Sequence, residues 1–346
     1  LDHINVRTAL QRVVHFARHG QAAGALPPDL AQDGRFAVLV RAVERHAHSW
    51  GAKDLALAAS ALAALRASPG QDGGPWPTLS DTMASRMCQG DAADRDVGTC
   101  MWAMATVRHS PEGMFQAAAE ADTIAAFSAH TTSSVVWAAA TVRYALPDAF
   151  AEQLSEHARE RVGLGTFTEQ GLANMAWSMA TVGGAVGVDL VGHVTREVAR
   201  RSEVGPRALA SVAWAYAKVH GQDAACFDAL ARHARARLSE ASTQDLSTCA
   251  WAFAKARQGS ERLFEGIAAE ALPKAAACNG QQVVNLMWSF ASRRVPWCPE
   301  VAQALCGRAL DVAAAGAQGV SCQALASVAW SVAKLGETAA DEVAWP

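Results

Sequence analysis

The chain has 346 residues, a formal net charge of −3 and 51% hydrophobic residues, ample for a large buried interior. That charge excludes a global basic footprint for nucleic acid, so any RNA site is confined to a local surface. No apolar run approaches the roughly 18 to 20 residues of a membrane span, and no basic stretch followed by an apolar core opens the chain. It begins at Leu1 rather than Met, so a targeting segment is expected to have been removed.

Residues 1–50 are expected to form a degenerate N-terminal repeat or cap. Val6-Arg-Thr-Ala-Leu10-Gln-Arg-Val-Val14-His-Phe16 has helical periodicity, and Pro27-Pro28-Asp29 is expected to open a helix running to about His48. Residues 51–92 read as a weak repeat in which Leu62 stands where a Trp belongs. There the Gly- and Pro-rich stretch Ser68 to Pro77 marks a loop before a short helix ending near Cys88.

From residue 93 to 346 one motif dominates, best seen in Leu209-Ala-Ser-Val-Ala-Trp214-Ala-Tyr-Ala-Lys218-Val. Its relatives centre on Trp102, Trp137, Trp177, Trp251, Trp288 and Trp330, and the seven Trp residues in order are 35, 40, 37, 37, 37 and 42 apart. Self-similarity at such a period signals a stack of repeats, each too small to bury its own apolar face. Ala is abundant, and the helix breakers gather between apolar segments. Second helices are expected to begin near Pro111, Pro147, Asp189, Asp223, Ser260 and Pro299. Motif helices are expected near Thr131, Thr168, Pro206, Ser242 and Ser321, with Ser242-Thr-Gln-Asp245 close to a capping box. The fold class is therefore all-α, a right-handed α-solenoid of helical hairpins with a period of about 37 residues and an incomplete last repeat.

At about 100° per residue, the motif resolves into faces. Five before the Trp stand Val97, Thr132, Leu172, Leu209, Leu246, Val283 and Leu325; two after it stand Met104, Ala139, Met179, Tyr216, Phe253, Phe290 and Val332. Three after it Ala recurs in all seven copies, from Ala105 to Ala333. Together with the Trp these are expected to pack, the Trp filling space that the Ala of a neighbouring repeat leaves.

Three before the Trp stand Thr99, Ser134, Asn174, Ser211, Thr248, Asn285 and Ser327; four after it stand Thr106, Thr141, Thr181, Lys218, Lys255, Ser292 and Lys334. With the Ala or Ser one after the Trp, they form a stripe of small hydrogen-bonding side chains and Lys. Close helix approach with side chain to backbone bonding explains part of this pattern. It explains less well why the position three before the Trp is never Ala in a chain so rich in Ala. These fourteen residues are candidates for ligand contact. Six after the Trp come Arg108, Arg143, Gly183, His220, Arg257, Arg294 and Gly336, where dipole compensation and left-handed C-capping are expected. Arg108, Arg143, Arg257 and Arg294 are also candidates for phosphate contact. The clusters Arg196, Arg200, Arg201, Arg207 and Arg232, Arg235, Arg237 read equally as a phosphate track or as dipole compensation.

Leu172-Ala-Asn-Met-Ala-Trp-Ser-Met-Ala-Thr-Val-Gly183 and Leu325-Ala-Ser-Val-Ala-Trp-Ser-Val-Ala-Lys-Leu-Gly336 resemble the core signature of octotricopeptide repeats. They also resemble the related heptatricopeptide repeats of organellar proteins with RAP domains or FAST-kinase-like regions. The resemblance covers roughly residues 93 to 340. It implies an RNA-binding α-solenoid acting on ribosomal RNA or transcripts in a mitochondrion or chloroplast, with the positions three before and four after the Trp touching bases. The chain is acidic for such a role, and no RAP-like segment follows the array. It stops where the second helix of its last repeat should begin, so further chain or a protein partner is expected to cover that end. A protein-interaction scaffold in a large organellar complex is the alternative.

No enzyme signature is present: Gly183-Gly-Ala-Val-Gly187 lacks a following Lys and reads as an inter-helix turn. His15 and His19 lack an acidic or Cys partner at useful spacing, so neither metal nor cofactor is expected. Glu152, Glu156 and Glu160 read as a solvated helix face. The eight cysteines, at 88, 100, 226, 249, 278, 298, 306 and 322, show no Cys-x-x-Cys spacing and read as reduced core residues.

Overall fold

A computed structural model describes residues 3–19, 30, 33–65, 74–120, 123–221, 223–293, 299–314 and 326–334, with helices and no strand among them. In order these are α1 (His3–His19), α2 (Gly34–His46), α3 (Ala52–Ala64), α4 (Trp76–Cys88), α5 (Asp94–Thr106), α6 (Glu112–Glu120), α7 (Ala129–Val142) and α8 (Asp148–Gly163). Then come α9 (Glu169–Val182), α10 (Gly184–Arg200), α11 (Pro206–Lys218), α12 (Ala224–Ala236), α13 (Thr243–Lys255), α14 (Glu261–Ala271), α15 (Gly280–Arg293) and α16 (Pro299–Ala314). Residues 326–334 are helical as well.

The chain divides into two compact units, Leu1–Ser178 and Met179–Pro346. In the first, α1, α3, α5 and α7 pack side by side as one layer, and α2, α4 and α6 pack in a second. In the second unit α11, α13 and α15 form one layer and α10, α12, α14 and α16 the other. Each unit is thus a stack of helical hairpins, the arrangement that α-solenoid repeats adopt.

Packing accounts for the sequence pattern. A motif helix inside its layer touches a motif helix on either side and the second layer beneath. It is therefore buried over a wide arc, from one after the Trp round to three after it, about 100° to 300°. The large positions five before and two after the Trp are buried in each copy from α5 to α15, as is the Ala three after it. Small residues let the helices approach closely. A methyl group on Gly98 of α5 would lie 2.8 Å from Thr131 Oγ1 and 3.0 Å from Thr131 Cα on α7.

Helix starts follow capping chemistry. Asp223 caps α12 through the amides of Ala225 and Cys226, Thr168 accepts from the Gly171 amide, and Ser242 with Asp245 forms a reciprocal capping box on α13. Asn279 and Gln282 bond each other's amides in the same way at α15.

Two starts differ from expectation. The Ser128 hydroxyl accepts from the Thr131 amide, so α7 begins at Ala129 rather than near Thr131. Next, α10 begins at Gly184 rather than near Asp189. Gly183 (φ 81°) and Gly184 (φ 79°) reverse the chain within two residues, and Gly187, set among the expected turn residues, is helical. A Cβ at Gly187 would stand 2.7 Å from the Met179 carbonyl oxygen. Helix α2 begins at Gly34, capped by Asp33, whose carboxyl the Arg35 side chain and amide hold down at about 2. The expected opening at Pro27 to Asp29 and the start near Ser321 lie outside the described residues.

A recurrent bolt joins the layers. The residue before the motif helix N-cap is buried in each case, as Trp50, Phe127, Ala241 or Cys278, so its carbonyl is sheltered from water and needs a donor. The following helical segment supplies one: Arg86 Nε to Trp50 O (3.2 Å), His157 Nε2 to Phe127 O (2.9 Å), Lys274 Nζ to Ala241 O (2.8 Å) and Arg308 Nε to Cys278 O (2.8 Å).

The six described cysteines are free. Cys100, Cys226, Cys249 and Cys278 are buried, but Cys88 is exposed, which corrects the reading of it as a core residue. Burial pushes the Cys100 and Cys249 thiols up to about 12, so neither is a nucleophile.

Candidate functional site

The positions of each motif helix that neither neighbour nor second layer fully covers span about 60°. This strip holds the positions seven and three before the Trp, the Trp itself and the position four after it. The Trp therefore stands at the edge of the packing face. Trp137, Trp177, Trp214, Trp251 and Trp288 are half-buried, and Trp102 and Trp330 are 38% and 46% exposed. The Trp is thus not fully enclosed as the core positions are, and part of each indole meets an indole of a neighbouring motif helix in three pairs. In the first unit Trp102 and Trp137 stack with ring centroids 6.4 Å apart and planes 27° apart. In the second, Trp214 and Trp251 are 6.3 Å apart and Trp251 and Trp288 6.4 Å, at 34° and 35°.

Around these rows stand the residues that the motif singled out. Thr99, Asn174, Ser211, Thr248, Asn285 and Ser327 are partly exposed, and Thr106, Thr181, Lys218, Lys255 and Ser292 are fully on the surface. Lys334 is partly exposed, and Lys218 places its ammonium 4.8 Å over the Trp214 ring. In α7 the pattern breaks: Ser134 is buried with its hydroxyl on the His130 carbonyl, and Thr141 is buried with an unpartnered hydroxyl. The Ala or Ser one after the Trp, read as part of the stripe, is buried in every copy from Ala103 to Ser331. Ser178, Ser289 and Ser331 spend their hydroxyls on the carbonyl four residues back.

The position seven before the Trp was not singled out from sequence. It carries Arg95, His130, Gln170, Arg207, Gln244 and Gln281, all exposed. Its signal was there: seven residues back is about 20° away on a helix. Gln170 donates to Asn174 Oδ1 (2.7 Å), Gln244 to Thr248 Oγ1 (2.9 Å) and Gln281 to Asn285 Oδ1 (2.9 Å), while Gln282 donates to Gln244 Oε1 across the repeat boundary (3.0 Å). These bonds orient a row of amides and hydroxyls beside the indoles.

The position six after the Trp is a left-handed C-cap. Arg108, Arg143, His220 and Arg257 have φ of 64°, 58°, 56° and 56°, whereas Gly183 takes a different turn, with φ 81° and ψ −158°. The amide after each non-glycine cap returns to the carbonyl two after the Trp, as from His109 to Met104 and from Gln258 to Phe253, closing a Schellman turn. A side chain other than Gly at this conformation costs about 1 kcal/mol, so four cations or potential cations are held there against a local preference. Arg108 is engaged structurally, its Nη1 donating to the Thr141 carbonyl at 2.7 Å, whereas Arg143 and Arg257 are exposed. Arg294 lies outside the described residues.

The face is electrostatically uneven. The three motif helices of the second unit, α11, α13 and α15, carry Arg207, Lys218 and Lys255 at strip positions, and their one carboxylate, Asp245, is held in its capping box. On the second layer the clustered arginines are partly neutralised: Arg200 and Arg201 pair with Glu197, and Arg237 with Glu240. No described helix is long and apolar enough to cross a membrane. Fold and face together define a helical-repeat protein with a polar, aromatic strip along its motif helices. No protein-family model and no curated protein matches the chain.

Proposed function

We propose that the protein is a non-catalytic RNA-binding helical-repeat protein of an organelle, the mitochondrion rather than the chloroplast. It acts on ribosomal RNA or transcripts, as a subunit of a large ribonucleoprotein. The observation that carries this reading is the strip of the second unit, where hydrogen-bonding side chains and cations share one surface with a single, already engaged carboxylate. Such a strip suits unpaired RNA: amides and hydroxyls meet base edges, and Lys and Arg meet phosphates. The organellar assignment is supported by the likeness of Leu172 to Gly183 and of Leu325 to Gly336 to the octotricopeptide signature.

The test is a salt titration of binding to a pool of short single-stranded RNAs, comparing the protein with a Lys218→Ala, Lys255→Ala, Lys334→Ala variant. Each phosphate that a Lys no longer neutralises makes the slope of log affinity against log salt shallower by about 0.7, so a change of up to about 2 is expected. Absence of binding at low salt would overturn the reading. The alternative, a protein-interaction scaffold in an organellar complex, draws on the net charge of −3 and would then stand.

A further inference from the structure

We infer that the indole row of the second unit, Trp214, Trp251 and Trp288, is the platform on which unpaired bases of a single strand stack. The inference rests on the nucleic-acid reading of the strip and adds to it the residues that supply ring contact. A large apolar side chain at the uncovered edge of a helix gives up part of its burial, yet the Trp stands there in all seven motif copies. The indoles follow one another at 6.3 and 6.4 Å, which joins them into an aromatic row that is partly open to solvent.

The rows on either side match the parts of a nucleotide. At a rise of 1.5 Å per residue, the row of Ser211, Thr248 and Asn285 lies about 4.5 Å from the indoles toward the helix N-termini. The Lys218 and Lys255 row lies about 6 Å away toward the C-termini, with His220 and Arg257 about 3 Å beyond it. A strand running along the layer would place its rings on the Trp row, its base edges over the hydroxyls and amides, and its phosphates over the cations. A Pro-rich peptide could use the aromatic row, but it has no anion for Lys218, Lys255 and Arg257; charge selects the nucleic acid. Every base has a ring face, so this contact adds affinity without selecting sequence. A duplex hides those faces and is a poor ligand for the row.

The test uses the full chain and fluorescein-labelled 12-nucleotide uridine and adenosine homopolymers, read by anisotropy, with a duplex of equal length beside them. Trp251→Ala is expected to weaken both single strands about tenfold, at low and at moderate salt alike. Trp251→Phe restores most of the affinity, and Trp251→Leu, equally apolar without a ring, does not. Thermal melts establish that each variant is folded; should Trp251→Ala unfold, the contrast between Phe and Leu carries the same information. Single strands that bind Trp251→Ala or Trp251→Leu as tightly as the parent, or a duplex that binds as well as a single strand, would overturn the platform and leave the RNA reading standing. A parent protein that binds no oligonucleotide at low salt would overturn both and assign the strip to a protein partner.

Discussion

Phe253 and Trp251 lie two residues apart on α13, and the structure assigns them opposite energetic roles. The Phe253 side chain is fully enclosed and meets Phe227 edge-on at 5.8 Å, so Phe253→Ala leaves a cavity between the layers and should cost about 3–5 kcal/mol. Trp251 is the larger side chain, but it is only half-buried. What its truncation removes is contact with Trp214 and Trp288, at about 0.5–1.5 kcal/mol each, and part of its buried area; about 1–3 kcal/mol is expected in all. Urea unfolding followed by far-UV circular dichroism measures both, from the shift in midpoint multiplied by the common slope. A Trp251→Ala variant destabilised as much as Phe253→Ala would refute the placement of the indole at the edge of the packing face and return it to the core.

Three other substitutions probe separate parts of the fold. Gly98→Ala gains about 1 kcal/mol of helix propensity but drives a methyl group against the Thr131 backbone; a net loss of about 1–2 kcal/mol is expected in the same unfolding assay. Arg257→Gly releases a left-handed backbone and should raise stability by about 0.5–1 kcal/mol while making the salt dependence of RNA binding shallower, so that stability and affinity move in opposite directions. Burial holds His109 below its ordinary value despite Asp81 and Glu112, and burial with Arg232 and Arg237 does the same for His233. The unfolded chain therefore binds these protons more readily. Their contribution is full above about pH 6.5 and is lost as pH falls below it through the depressed folded-state values, and a His109→Gln, His233→Gln variant should show a flatter melting temperature between pH 7 and 5.

Local chemistry was legible in the chain and long-range geometry was not. Asp223 and Ser242 with Asp245 announce their caps through residue type alone, because capping is settled within four or five residues. The Trp reads as a core residue by its chemistry, but its angle sets it at the edge of the packing face. The large buried positions centre about 210° from it, whereas the polar positions lie within about 60°. Angle decided, since a helix with neighbours on three sides has one free face. The row seven before the Trp escaped notice because Arg95, His130 and Gln170 share no single chemistry, although every member is polar and exposed. The bolts from Arg86, His157, Lys274 and Arg308 join residues 30 to 36 positions apart, with a different donor in nearly every repeat, so no motif marks them.

Those bolts change what the net charge means. Arg86, Arg108, Lys274, Arg293 and Arg308 donate to main-chain carbonyls of other helices or loops, and Arg200, Arg201 and Arg237 sit against carboxylates of the second layer. A cation that satisfies a sheltered carbonyl holds the fold and leaves little field for a distant ligand. The groups that stand toward the strip are fewer: Arg207, Lys218 and Lys255, with Arg257 at its C-terminal edge. Their field is little opposed, because α11 and α15 carry no carboxylate and the one on α13 is tied to Ser242. A near-neutral chain can thus present a locally positive face, narrow enough to meet one strand and too sparse to hold nucleic acid by charge alone. Ring contact along the indole row is the term that would make up the difference.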